Sequence, residues 1–205
     1  MTVPFQLNKS QRLVVNGTAK ESSRPALAAI CVRKDKDGQG QVVAADGYML
    51  IEKRVDYDGD ESVLLDAKGV AACKDDKELG TVSFIPGADN SSMQAVVDGS
   101  VRDVEVVQGT FPDYERLYPT EEPVFRIGLG RDVLLKMLKC LDAKSGEDAI
   151  AFFFRTPTSP VEFRVGDDVR GMIMPLVIPG VTDWKPESNE AEASDGKEES
   201  VGNTA

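Results

Sequence analysis

Residues 111–119 read FPDYERLYP: Phe111, Pro112, Asp113, Tyr114, Glu115, Arg116, Leu117, Tyr118 and Pro119. Two prolines bracket two of its three aromatic rings, and Phe111 stands just before the first, more apolar surface than a solvated linker carries. The stretch is either a packed connector between two parts of the chain or part of a binding surface, and its flanks decide the fold. Immediately upstream, Ser62 to Leu65 is predicted as a strand and about Ala67 to Leu79 as a helix. Strands follow at Gly80–Pro86, Ser92–Asp98 and Arg102–Gln108, with Asp98-Gly99 as a hairpin turn. Downstream the order recurs. Val124–Leu129 is a predicted strand, and Arg131–Leu141 a helix with Val133, Leu134, Met137, Leu138 and Leu141 at helical spacing. Ala149–Arg155, Val161–Val165 and Val169–Pro175 complete it as strands.

Further upstream the pattern begins with a strand at Val3–Leu7, then Asn8 as a helix cap and a weakly helical stretch to about Ala19, kept short by Gly17. The apolar run Ala26–Arg33 has the character of a buried strand. Turn residues 34–40 (KDKDGQG) lead into Gln41–Ala45, and Asp46-Gly47 into Tyr48–Val55. The chain is therefore predicted as α+β, built from about three repeated βαβββ units with little identity between them. The expected boundaries are 1–60 for the first unit, 61–120 for the second plus the connector, and 121–183 for the third, with 184–205 as a tail.

Composition limits what this fold can do. The 205 residues, 41% of them hydrophobic, are enough to bury a core, and no 18-residue apolar run or basic-then-apolar N-terminus points to a membrane span or secretion signal. The expected location is the cytoplasm, which also suits three cysteines too widely spaced for a disulfide scaffold, Cys31, Cys73 and Cys140. Histidine is absent, which removes His-dependent triads and His-ligated zinc. Net charge is −11, of which residues 185–205 hold −4, and the Ser- and Gly-rich composition of that stretch predicts a disordered acidic tail. Trp184 would pack the chain end just before it.

No Walker loop, dinucleotide fingerprint or nucleophile elbow is present, so no catalytic residue, metal or cofactor is assigned. The acidic loop with Asp56, Asp58, Asp60 and Glu61 could hold a divalent cation, but it lacks calcium-loop spacing and also reads as a solvated hairpin loop. The sequons at Asn16 and Asn90 carry little meaning without a secretion signal.

Two further stretches accompany the connector. Ala44 to Leu50 (AADGYML) is a Gly-containing turn whose Tyr48, Met49 and Leu50 either project or pack as core. Met172 to Leu176 (MIMPL) is an apolar strand whose proline belongs at an edge or strand end. In their order, ADGYML, FPDYERLYP and MIMPL resemble the blocks ATDGHRL, FPDYRRVLP and VMPM of the bacterial sliding clamp, the beta subunit of DNA polymerase III. The resemblance extends in pattern over about residues 3–179. It implies a DNA-clamp fold in which paired βαβββ units form domains and twelve units close a ring around duplex DNA.

The resemblance also implies a pocket for short linear peptides of the replicative polymerase and clamp loader. Carried over motif by motif, it comprises Leu27 from the first long strand and Ala45, Gly47, Tyr48, Met49 and Leu50 from the turn. Pro112, Arg116 and Leu117 come from the connector, and Met172, Ile173, Met174, Pro175 and Leu176 from the last strand. Tyr48-Met49 replaces the family's His-Arg pair and Val177 its late arginine, so the implied pocket is more apolar. Lys9, Arg12, Lys68, Lys74, Lys77, Arg131, Lys136 and Lys139 on the helical stretches are the implied DNA-facing cations, though they equally suit solvated helix faces. The expected activity is that of a non-enzymatic processivity factor, with a peptide-binding adaptor that forms no ring as the alternative. Three units per chain imply a homo-oligomer, with four copies needed for twelve units.

Overall fold

Strand β1 (Phe5–Asn8) sends Phe5 and Leu7 inward, and its last residue caps the next element. The Asn8 side chain accepts from the Gln11 backbone N–H at 2.9 Å, and Gln11 Oε1 accepts from the Asn8 N–H at 2.8 Å. This reciprocal pair starts helix α1 (Lys9–Arg12), which tightens into a 3₁₀ turn over Leu13–Gly17. One half of this pair recurs at β5 (Val63–Asp66): Asp66 Oδ2 accepts from Gly69 N–H at 2.6 Å and starts α2 (Ala67–Ala71). The computed structural model describes residues 3–20, 24–74, 80–88, 91–141 and 149–182 and divides the chain into two bodies, Met1–Arg116 and Leu117–Ala205.

In the first body a 3₁₀ turn (Pro25–Ala28) precedes β2 (Ala29–Lys34), β3 (Gly40–Ala45) and β4 (Leu50–Arg54). The strand expected from Ala26 thus begins three residues later, because Pro25 presets a helical φ at the first position of the turn. After α2 come β6 (Thr81–Pro86), β7 (Ser92–Val97) and β8 (Ser100–Glu105). Asp98 (φ +47°) and Gly99 (φ +74°) form the tight β7–β8 turn that their dipeptide predicts. Residues 75–79 of the expected second helix, including Lys77, lie outside the described residues.

The sheets are antiparallel and exchange their first strands. Their orders are β4-β3-β2-β5 and β1-β6-β7-β8. β5 pairs with β2 from Ala29↔Asp66 to Val32↔Val63, and β1 pairs with β6 from Phe5↔Phe84 to Asn8↔Thr81. Each first strand runs straight into a helix cap, so its successor cannot fold back on it as a hairpin. It fills the edge of the other unit's sheet instead, and the expected boundary at residue 60 separates no two bodies. The sheets touch through a Leu65↔Val106 bridge and a 2.8 Å bond from Val107 N–H to the Leu64 carbonyl.

One core fills the face shared by both sheets and the helical segments. Leu7, Val14, Ile30, Leu65, Val70 and Phe84 have no exposure there, and Phe5 stacks on Phe84 at 5.2 Å. The other face of the first sheet, with Ala29, Cys31, Val43 and Leu64, is covered by Phe111 and Tyr114. β2 is therefore buried on both faces, which explains its unbroken apolar run.

In the second body α3 (Arg131–Lys139) precedes β9 (Ala151–Phe153), β10 (Val161–Val165) and β11 (Val169–Ile173), paired in the order β11-β10-β9. Its core is small: Met137, Phe163 and Ile173 are buried, with Leu129, Leu134 and Phe152 packed against them. Val133 and Leu138, expected in that core, are half exposed. Val124–Leu129, expected as a strand, makes one bridge, Gly128↔Leu176. Glu162 on β10 accepts hydrogen bonds from Arg155, Arg164 and Arg170 at 2.8–3.0 Å. The tail from 184, with Trp184, lies outside the described residues.

Candidate functional site

The hairpin turn between β3 and β4 is built by Asp46. Its Oδ1 accepts from the Tyr48 and Met49 N–H groups at 2.8 and 2.9 Å, which holds the carboxyl below the usual carboxylate range, and Gly47 takes φ +96°. Tyr48 is fully exposed and Met49 half exposed, so neither is a core residue. Ala45 and Leu50 lean on the core under the connector.

That connector separates into two kinds of residue. Phe111 and Tyr114 are buried with their rings edge to face at 6.0 Å, and the Tyr114 hydroxyl accepts from Gln41 Nε2 at 2.7 Å and donates to Glu52 Oε2 at 3.2 Å. Arg33 lies over the Tyr114 ring at 5.3 Å and pairs with Glu115. Burial, with Glu52 adding to it, pushes the Tyr114 phenol well above its ordinary value. Pro112, Arg116 and Leu117 are exposed, Arg116 pairing with Asp113 at 2.8 Å. The first body thus brings the turn and the connector to the same sheet, with buried anchors between them.

The remaining implied pocket residues call for two corrections. Leu27 lies in the 3₁₀ turn rather than a strand, and it is buried. Ile173 is 2% exposed, because β11 alternates and turns it inward onto Met137 and Phe163. Met172, Met174 and Leu176 on the opposite phase are exposed and Pro175 is partly buried, all in the second body.

The cations divide similarly. Lys9, Lys68 and Lys74 are exposed on or just after the helices of the first body. Arg12 is not a DNA-facing residue. It is buried, and its Nη1 donates to the Cys73 carbonyl at 2.7 Å, tying α1 to the end of α2. Lys20, which the sequence did not single out because it follows the helical stretch, lines with Lys68 a concavity of about 390 Å³ beside α2. On α3, Lys136 and Lys139 are exposed and Arg131 pairs with Asp132 at 3.1 Å. The acidic loop is tied down by Lys34, whose Nζ donates to the Asp58 carbonyl at 3.0 Å. Among the described residues no three Cys, Asp or Glu side chains are grouped to hold a metal ion.

No protein-family profile matches the chain, and no curated protein matches its sequence. Solved structures do. The DNA polymerase III beta chain of Streptococcus pneumoniae superposes with a TM-score of 0.63 at 16% identity, over 85% of this chain and 50% of that one. The sliding clamp of Bacillus subtilis gives 0.64 at 16% identity, over 85% and 49%. The Bartonella birtlesii clamp, solved bound to griselimycin, gives 0.66 at 18%, over 84% and 50%. The chain therefore has the DNA sliding-clamp fold, an α+β architecture of repeated units. Its structural relatives are bacterial DNA polymerase III beta subunits, as the three motifs implied, and it spans about half the length of each.

Proposed function

We propose that the chain is a sliding-clamp-like processivity factor that tracks duplex DNA without reading its sequence and holds short linear peptides of a polymerase and its loader. The sliding-clamp fold is the observation that carries this reading. With a net charge of −11 the protein gains little from bulk attraction to phosphates, so retention would come from encirclement, with Lys9, Lys68, Lys74, Lys136 and Lys139 touching the backbone. A tethered polymerase then rebinds its template at high effective concentration, which raises processivity without tight DNA binding. In the first body Tyr48, Met49 and Leu50 would supply apolar anchors for an extended peptide, and in the second body Met172, Met174 and Leu176 would supply such anchors of their own. No helix among the described residues is long and apolar enough to cross a membrane, and a clamp of this kind would work in the cytoplasm.

A second reading is a peptide-binding adaptor that closes no ring, for which the exposed Tyr48 and Met49 would serve without any DNA contact. Retention of the full chain on nicked circular plasmid, with release when the plasmid is linearised, separates the two. Lys9→Glu with Lys68→Glu should weaken retention and its salt dependence; equal retention on both DNA forms and no effect of charge reversal would overturn the clamp reading. Leu50→Ala in the first body and Met174→Ala in the second should each be measured for loss of binding of griselimycin used as a probe. Unchanged affinity would remove the anchors assigned to that body.

A further inference from the structure

The second body holds one βαβββ unit, and the first body shows what such a unit lacks. There each sheet is completed by the other unit's first strand, which docks on the strand that follows the helix: β5 on β2, and β1 on β6. In the second body the equivalent strand is β9. It pairs with β10 on one side and, among the described residues, with nothing on the other.

The donor is present as well. Phe125, Ile127 and Leu129 alternate with Val124, Arg126 and Gly128 up to Gly130, the residue that starts α3, just as Phe5 and Leu7 alternate up to Asn8. Half of its docking is already made. In β5 the carbonyl two residues before the cap, Leu64, accepts from Val107 just past its unit's last strand. In the second body the carbonyl two residues before the cap, Gly128, accepts from Leu176 just past β11, also at 2.8 Å. The other edge of β5 takes β2; the other edge of 124–129 has no partner strand among the described residues. Among the described residues α3 likewise has no neighbouring helical segment of the kind that packs on α2, and Val133 and Leu138 are half exposed.

We propose that a second copy of this chain completes the second body by reciprocal strand exchange, residues 127–130 of each copy pairing antiparallel with β9 of the other. One two-fold contact satisfies both donors and both acceptors, as the two units of the first body satisfy each other. In the first body the cap residue faces the first residue of the receiving strand, Asn8↔Thr81 and Asp66↔Ala29. Transferred to the second body, that register sets Gly130 against Ala151, Leu129 against Phe152, Gly128 against Phe153 and Ile127 against Phe154. Leu129 and Phe152 both pack on the core side, as Leu7 and Val82 do. Ile127 meets the half-exposed Phe154 where Phe5 stacks on Phe84. Within one copy only Phe125 reaches that strand end among the described segment's rings, at 6.4 Å from Phe154.

The test uses the full chain with Cys140→Ser, so that the exposed native thiol is gone. Ile127→Cys and Phe154→Cys are made in separate chains, mixed and oxidised. The expected product is a disulfide-linked heterodimer, with each variant alone giving little, and light scattering of the unsubstituted chain showing dimers or multiples of dimers. Ile127→Lys should raise the dissociation constant at least tenfold while circular dichroism is unchanged. A monomer at all concentrations overturns the proposal. So does a dimer without the cross-link, or an intrachain bond when both cysteines are in one chain, which would show the segment covering its own β9. The outcome does not depend on DNA or peptide binding.

Discussion

Tyr114→Phe removes one oxygen from the seal between the connector and the first sheet. Tyr114 is 3% exposed, and its hydroxyl accepts from the amide of Gln41, itself buried, while its proton goes to Glu52 at the exposed sheet edge. Glu52 can turn to water after the substitution; the Gln41 amide cannot. Stranding a buried donor costs about 1–3 kcal/mol. At about 3 °C per kcal/mol for a chain of this size, the melting temperature should fall by about 3–9 °C. The control is Gln41→Leu in the Tyr114→Phe background. With both polar partners gone the penalty has no donor to act on, and most of the loss should be recovered, a coupling that a double-mutant cycle in calorimetry measures. A Tyr114→Phe melt within about 1 °C of the parent, or additive losses in the pair, would refute the assignment of Tyr114 as a structural anchor.

Glu162 is held at about 2, from an ordinary 4.5, by hydrogen bonds from Arg155 and Arg164 with Arg170 alongside. A lowered carboxyl pKa stabilises the folded state above 4.5 and loses that contribution as pH falls toward 2, so hydrogen exchange on β10 should accelerate across that window, and Glu162→Gln should flatten the dependence. Burial pushes the Cys31 thiol up to about 12 and raises that of Cys73, whereas Cys140 is exposed. A thiol reagent on the native protein should label Cys140 at once and Cys31 only on unfolding, checked by peptide mass mapping. Asn8→Ala and Asp66→Ala should each cost about 1 kcal/mol in urea unfolding, because each removes the acceptor that starts a helix.

The elements of the fold were legible where local chemistry acts alone. Asn8 as a cap, Asp98-Gly99 as a tight turn and the doubly buried β2 follow from residue type and pattern. The exchange of β1 and β5 was not, because period-two alternation reports which face is buried and is silent about which strand lies alongside. Val124–Leu129 shows the converse. It has the pattern of a strand and, among the described residues, makes one bridge and has no second neighbour that would make it one. At the site, Arg12 and Lys9 both read as cations of one helical stretch, and the bond to the Cys73 carbonyl at the end of α2 is what shows Arg12 turned inward. Ile173 could have been separated from Met172 and Met174 by applying the alternation of β11 one residue further than the motif suggests.

Whether the chain closes a ring or stays an adaptor turns on its other sheet edges. Exchange through the second body uses one contact per copy and ends at a dimer. Further growth has to use the outer edges of the first body, β4 and β1. β4 carries Glu52, Lys53 and Arg54 in succession, charges that oppose pairing with an arbitrary strand but suit a partner of matching order. A second contact of that kind is electrostatic at its rim, whereas the exchange in the second body is apolar. Salt should therefore act on them differently. Light scattering at low and high ionic strength should show a tetramer that falls to a dimer as salt rises, since screening weakens the β4 edge and leaves the apolar exchange intact. A dimer unchanged by salt would keep the exchange and remove the ring, and a tetramer that falls directly to monomers would show that the apolar contact is not the stronger of the two.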